Sequence, residues 1–193
     1  MPNIIHNVMK IDDGEKAKEV YAAMKTEESE FDFNAVMPVP AEKEGDEKLE
    51  WCTKNWGSKW NAMDPVMLDD RTVYFQTAWS DVKAVVIELA RKFNVHKLGY
   101  QWASEFRDDE CGYIRIANRR IAATSFKGSK MACKKFNERF FEKLEAKVGP
   151  IEVPDLSEEN GWREIELPDG QKISIRIHDV LGNVIFGNTP KDR

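Results

Sequence analysis

An α+β sandwich is the architecture this sequence predicts, and three observations predict it. Apolar residues are interspersed with polar ones over 4–11 and then recur at helical spacing over 17–24. A β-branched and aromatic segment over 72–77 is likewise followed by helical spacing over 82–93, and two alternating segments follow, separated by a charged turn. Alternation with period two gives a strand with one buried face, whereas recurrence at three and four residues gives a helix with one apolar stripe. Strands and helices in this order fold as a sheet with the helices gathered on one side.

The elements follow in chain order. Ile4, Ile5, Val8 and Ile11 form a first strand that ends at Asp12-Asp13-Gly14, and Ala17, Val20, Tyr21 and Met24 mark the helix after it. Residues 31–61 are rich in Trp, Asn, Gly and Pro, with three of the six tryptophans between Trp51 and Trp60, and are expected to be a long loop of specific shape. Thr72 to Thr77 is β-branched and aromatic and reads as a strand. Ser80 or Asp81 can cap the helix carrying Val82, Val85, Val86, Leu89 and Phe93. Leu98, Tyr100 and Trp102, then Gly112 to Ala117, predict a hairpin about the turn at 107–110. Four strands with two helices on one face point to a sandwich of ferredoxin-like type.

Two additions follow. Ser129 starts a third helix that ends before Gly149-Pro150 and turns Cys133, Phe136, Phe140, Phe141, Leu144 and Val148 inward. Beyond Pro154, the turn Pro168-Asp169-Gly170 joins Ile165 and Leu167 to the strand of Ile173, Ile175 and Ile177, with a third strand over 180–186. Such a tail is too short for its own core. The expected organisation is therefore a domain over 1–150, including the basic helix at 129–148, and a β-hairpin appendage over 151–193 that packs on it or on a partner. An open edge at Ile173–Ile177 would pair with a second copy, giving a homodimer.

Composition narrows the function classes. With 41% hydrophobic and 33% charged residues among 193, and no apolar run near the length that spans a bilayer, the chain is expected to be soluble, without membrane contact. The start, Met1-Pro2-Asn3-Ile4-Ile5-His6, lacks the basic-then-apolar form of a secretory signal, so a cytoplasmic location is expected. Cys52, Cys111 and Cys133 are then free thiols, and with His6, His96 and His178 equally scattered no metal site is expected. The net charge of −5 is unevenly spread: residues 1–70 carry 8 basic against 16 acidic groups, residues 71–150 carry 16 against 9, and residues 151–193 carry 5 against 9. A basic middle between acidic ends serves either a polarised partner surface or neutralisation within the fold.

His6-Asn7-Val8, the passage from Phe31-Asp32-Phe33-Asn34 to Pro38-Val39-Pro40, Asn55-Trp56-Gly57-Ser58-Lys59-Trp60-Asn61, and Phe75-Gln76-Thr77-Ala78-Trp79-Ser80 carry a family resemblance. On these residues the first 100 or so positions are similar to the YubB ferredoxin-like family of phage- and plasmid-encoded proteins. The resemblance implies a mobile-element origin and a ferredoxin-like fold, and brings no catalytic residues with it. Residues 119–193 lie outside it.

Two constellations remain. Trp51, Trp56, Trp60 and Trp79 would form either an exposed aromatic platform or, more commonly for such residues, a cap on the core. On the third helix Lys135, Arg139, Lys143 and Lys147 recur every four residues and make one slowly rotating stripe, close to Arg119 and Arg120. Like charges at that spacing repel, so phosphates, an acidic protein, or the helix's own Glu138, Glu142 and Glu145 must compensate, the last being the bland solution. The adjacent carboxylates at 12–13, 69–70 and 108–110 fit turns rather than acid–base pairs, and no enzyme activity or cofactor is expected. The expected function is that of a phage or plasmid accessory protein that binds a host protein, as an inhibitor of a defence system such as an anti-CRISPR does. The alternative is a nucleic-acid-binding module. The binding residues expected in either case are Arg119, Arg120, Lys135, Arg139, Lys143, Lys147, Trp56 and Trp60.

Overall fold

A computed structural model describes residues 3–27, 29–106, 110–118, 120–126 and 129–151, and the backbone of three strands beyond them. The chain forms two compact units, 1–152 and 153–193. In the first, strand β1 (Ile4–Ile11) leads to helix α1 (Gly14–Met24), a 3₁₀ turn (Phe33–Ala35) and helix α2 (Gly45–Trp56). The hairpin β2 (Met63–Asp69) and β3 (Thr72–Ala78), helix α3 (Lys83–Lys92) and strand β4 (Lys97–Ser104) follow, then β5 (Cys111–Ala117), β6 (Arg120–Ser125) and helix α4 (Lys130–Val148). The six strands form one antiparallel sheet in the order β2-β3-β1-β4-β5-β6.

Its first four strands, ordered β2-β3-β1-β4 and connected through α1, α2 and α3, are the ferredoxin-like sandwich. The class expected from the sequence is therefore the one formed, from a different set of strands. The expected set held β5 in place of β2, because β2 contains Pro65, an Asp64 at φ 46° and two breaks in register with β3. Such features suit an edge strand and erase its periodicity. The expected loop over 31–61 also needs correction. It contains the twelve-residue helix α2, with Trp51 and Trp56 on it, capped by Gly57 in the left-handed region at φ 89°.

Alternation along β1 divides the domain into two faces. Ile5, Met9 and Ile11 join Val20, Phe31, Phe33, Trp56, Phe75, Leu89, Tyr100 and Trp102 in the main core beneath α1–α3. Asn7 is the polar member of that face, fully buried and fully used. Its amide donates to Ile5 O (2.8 Å), Thr77 Oγ1 (3.0 Å) and Phe75 O (3.3 Å), and its Oδ1 accepts from the Tyr100 hydroxyl (2.7 Å). That hydroxyl in turn accepts from the Val82 N–H (3.0 Å), so one polar thread ties β1 to β3, β4 and the start of α3. The opposite face, with Tyr74, Ala103 and Cys111, packs against Cys133, Phe140, Phe141 and Leu144 of α4.

The second unit is a separate antiparallel sheet of three strands, β7 (Trp162–Glu166), β8 (Lys172–His178) and β9 (Asn183–Gly187) in that order. Its β7–β8 pairing agrees with the expected hairpin; the turn at 168–170 lies outside the described residues.

Candidate binding groove

Helix α4 is placed by the residues it buries. Cys133, Asn137, Phe140, Phe141 and Leu144 recur at three and four residues and settle onto the sheet where it is most apolar. His6 fills the contact. Its ring lies parallel to Tyr74 at 6.0 Å and edge-on to Phe141 at 5.2 Å, and its Nδ1 is 2.9 Å from the Tyr74 hydroxyl. Burial pushes that tyrosine up to about 12 against a lowering hydrogen bond from Gln76, so it stays neutral. Cys111 at the start of β5 and Cys133 on α4, both buried, bring their Sγ atoms to 3.0 Å.

Beyond this contact, toward the Ile11 end of β1, the strands run on without being filled against the helix. A cavity of about 580 Å³ opens between the C-terminal half of α4 and the sheet. Val8, Leu68, Tyr113, Phe140 and Leu144 make its apolar lining. Its ionic lining is Lys10, Lys97, Arg115, Lys143 and Lys147, with the carboxylates of Asp12 and Asp69. One carboxylate is already engaged: Asp69 meets Lys147 at 3.1 Å and accepts the Arg71 N–H at 2.9 Å. Desolvation raises the Asp69 carboxyl, but the hydrogen bonds from Arg71, Thr72 and Lys147 outweigh it and hold the group at about 2. Among the described residues Lys10, Lys97, Arg115 and Lys143 have no ion-pair partner, although all four are exposed on one groove.

The residues expected to bind are distributed unevenly over this geometry. Lys143 and Lys147 line the groove. Lys135 and Arg139 are exposed farther back along α4, and Arg120 is exposed at the start of β6. Arg119 lies outside the described residues. Trp56 must be withdrawn as a binding residue: it is 2% exposed, packs edge-on to Phe33 and Trp51, and its Nε1–H donates to Met37 O at 2.9 Å. Trp60 is 41% exposed and leans on Trp79 at 5.2 Å.

Trp60 belongs to a second cluster built from the two tryptophan-bearing motifs. Gly57 lies against the Asp81 backbone so closely that a Cβ would stand 2.5 Å from its carbonyl oxygen. Ser58 Oγ accepts from the Ala78 N–H (3.3 Å), and Lys59 Nζ sits 4.8 Å from the centre of the Trp79 ring. Asn61 fastens the preceding turn: its Oδ1 accepts from the Phe33 and Ala62 N–H groups, both at 2.9 Å, and its amide donates to Asp32 at 2.7 Å. These contacts secure the connection between α2 and the sheet.

Sequence reasoning missed Lys10, Lys97 and Tyr113 as members of one site. They sit on three different strands, and only the sheet order brings them together. The available signal was that each points from a strand to the face opposite the main core.

Residues 55–142 match the family model described as a ferredoxin-like domain in Api92-like protein. The match overlaps the ferredoxin-like sandwich over β2, β3, α3 and β4. It runs from the end of α2 into α4, so it includes both tryptophan motifs and most of the groove. No curated protein and no solved structure matches the chain. Among the described residues no group of three or more His, Cys, Asp or Glu is placed to hold a metal ion, and no helix is long and apolar enough to cross a membrane.

Proposed function

We propose that this protein is a non-enzymatic binding module that holds a macromolecule against the α4 face of its ferredoxin-like domain. The observation that carries the reading is the groove, where four exposed cations, without ion-pair partners among the described residues, surround an apolar floor. A folded protein gains nothing by grouping like charges, and the repulsion is relieved when an anionic partner arrives. The resemblance of the first 100 residues to the YubB ferredoxin-like family supports a finer reading. On it the protein is a phage or plasmid accessory protein in the bacterial cytoplasm, and the partner is a host protein, as for an inhibitor of a defence system.

The test is affinity purification from host lysate with two baits, the wild-type protein and Arg115→Glu/Lys143→Glu, each split into nuclease-treated and untreated halves. The expected result is a host protein retained after nuclease by the wild type and lost from the variant. Retention through nucleic acid alone would reassign the groove to nucleic acid, and identical profiles for both baits would remove the groove from function.

A further inference from the structure

Resting on the reading just given, we infer that the groove takes an acidic peptide segment with apolar anchor residues, and not a nucleic-acid strand. Charge complementarity sets the sign: Lys10, Lys97, Arg115 and Lys143 are exposed and unmatched by a carboxylate among the described residues, so the ligand is anionic. The apolar lining sets the rest. Val8 and Leu68, both only partly buried, and the exposed ring of Tyr113 offer hydrocarbon that a phosphate backbone cannot use and that a Leu or Phe side chain can bury, at roughly 25 cal/mol per Å².

Two features count against a nucleic-acid strand. Sequence-tolerant binding of unpaired strands uses successive aromatic platforms. Here Tyr113, 36% exposed, is the one solvent-accessible ring on the lining, since Tyr100 and Phe140 are buried. Asp12 and Asp69 also line the groove, placing fixed negative charge where a continuous phosphodiester would run. A peptide can space its carboxylates to meet the lysines and pass these two positions with a neutral or basic residue. In an extended peptide alternate side chains point to opposite sides, so apolar residues face the floor while carboxylates meet the rim.

The inference is tested with defined probes and the full chain. Fluorescence anisotropy would compare a labelled peptide of about eight alternating Glu and Leu residues, the same peptide with Gln for Glu, the same with Ser for Leu, and a single-stranded oligothymidylate. The Glu/Leu peptide is expected to bind, and each peptide substitution to weaken it at least tenfold. Arg115→Glu/Lys143→Glu should lose the same factor, while Lys135→Glu, on α4 but off the groove, should bind as wild type does. Should the double reversal fail to fold by circular dichroism, Arg115→Gln and Lys97→Gln replace it, with a several-fold loss expected. Equal binding of the Glu/Leu and Gln/Leu peptides, no binding of any peptide, or tighter binding of oligothymidylate would overturn the inference. A nuclease-resistant host protein retained in the purification above would leave the broader reading standing through any of those outcomes.

Discussion

Asn7 and Asp69 show how single side chains hold this domain together. Asn7 satisfies its amide and its carbonyl inside the core, and removing it strands the Tyr100 hydroxyl and the backbone carbonyls it serves. A buried polar group left unpaired costs about 1–3 kcal/mol. Asn7→Ala is therefore expected to lower unfolding free energy in denaturant titrations by about 3 kcal/mol, and Tyr100→Phe, which keeps the ring, by about half of that. Asp69 makes a smaller, pH-dependent contribution. Its carboxyl is lowered in the folded state from 3.8 to about 2, so the stabilisation is fully present above about pH 4 and is lost as pH falls through 2. Both partners of the Lys147 pair are nearly half exposed, at 47% and 43%, so the gain is screened and modest. Lys147→Ala should move the Asp69 carboxyl upward in an NMR pH titration and shift the acid limb of the stability curve to higher pH. An unmoved carboxyl would mean that Arg71 and Thr72 alone hold it.

The elements divide into those whose pattern survives in the sequence and those whose position hides it. Strands β1, β3, β4 and β5 are central or nearly so, and because at least one face of each is buried each carries a strand signal, alternation in β4 and β5 and apolar, β-branched or aromatic content in β1 and β3. The edge strands do not: β2 is interrupted by Pro65 and its register shifts, and β6 is almost wholly exposed, with Ile121 half open to solvent. Helix α2 lacks a side-chain cap and buries only Cys52 and Trp56, so its tryptophans read as loop residues. Helix α4 was legible from its apolar spacing, but its seat was not, because that depends on Ala103, Cys111 and His6 from separate strands. Gly112 on β5 gives an element-level test. A Cβ there would run into the Trp102 ring and the Thr124 carbonyl on the neighbouring strand, so the sheet has no room for a methyl group. Gly112→Ala is expected to destabilise by about 2–3 kcal/mol in denaturant titrations. A neutral result would contradict the described β4–β5–β6 packing.

At the scale of the whole molecule, the uneven charge distribution acquires a location. The basic middle of the chain supplies Lys97, Arg115, Lys143 and Lys147, and β1 adds Lys10, so one face of the ferredoxin-like domain collects cations in a protein whose net charge is −5. Under the proposed function, that arrangement would steer an acidic partner to the groove and make association sensitive to salt. The site as a whole was half legible: the α4 stripe is a sequence pattern, whereas its junction with the sheet is a product of the strand order. The most direct test of the groove as the binding surface is an amide and side-chain NMR titration of the ¹⁵N-labelled protein with the Glu/Leu peptide. Shifts confined to Lys10, Lys97, Gly99, Arg115 and the Lys143–Lys147 turn of α4 are expected, with Trp60 and Lys135 unmoved. Shifts centred on Trp60 and Trp79, or none at the groove, would contradict it.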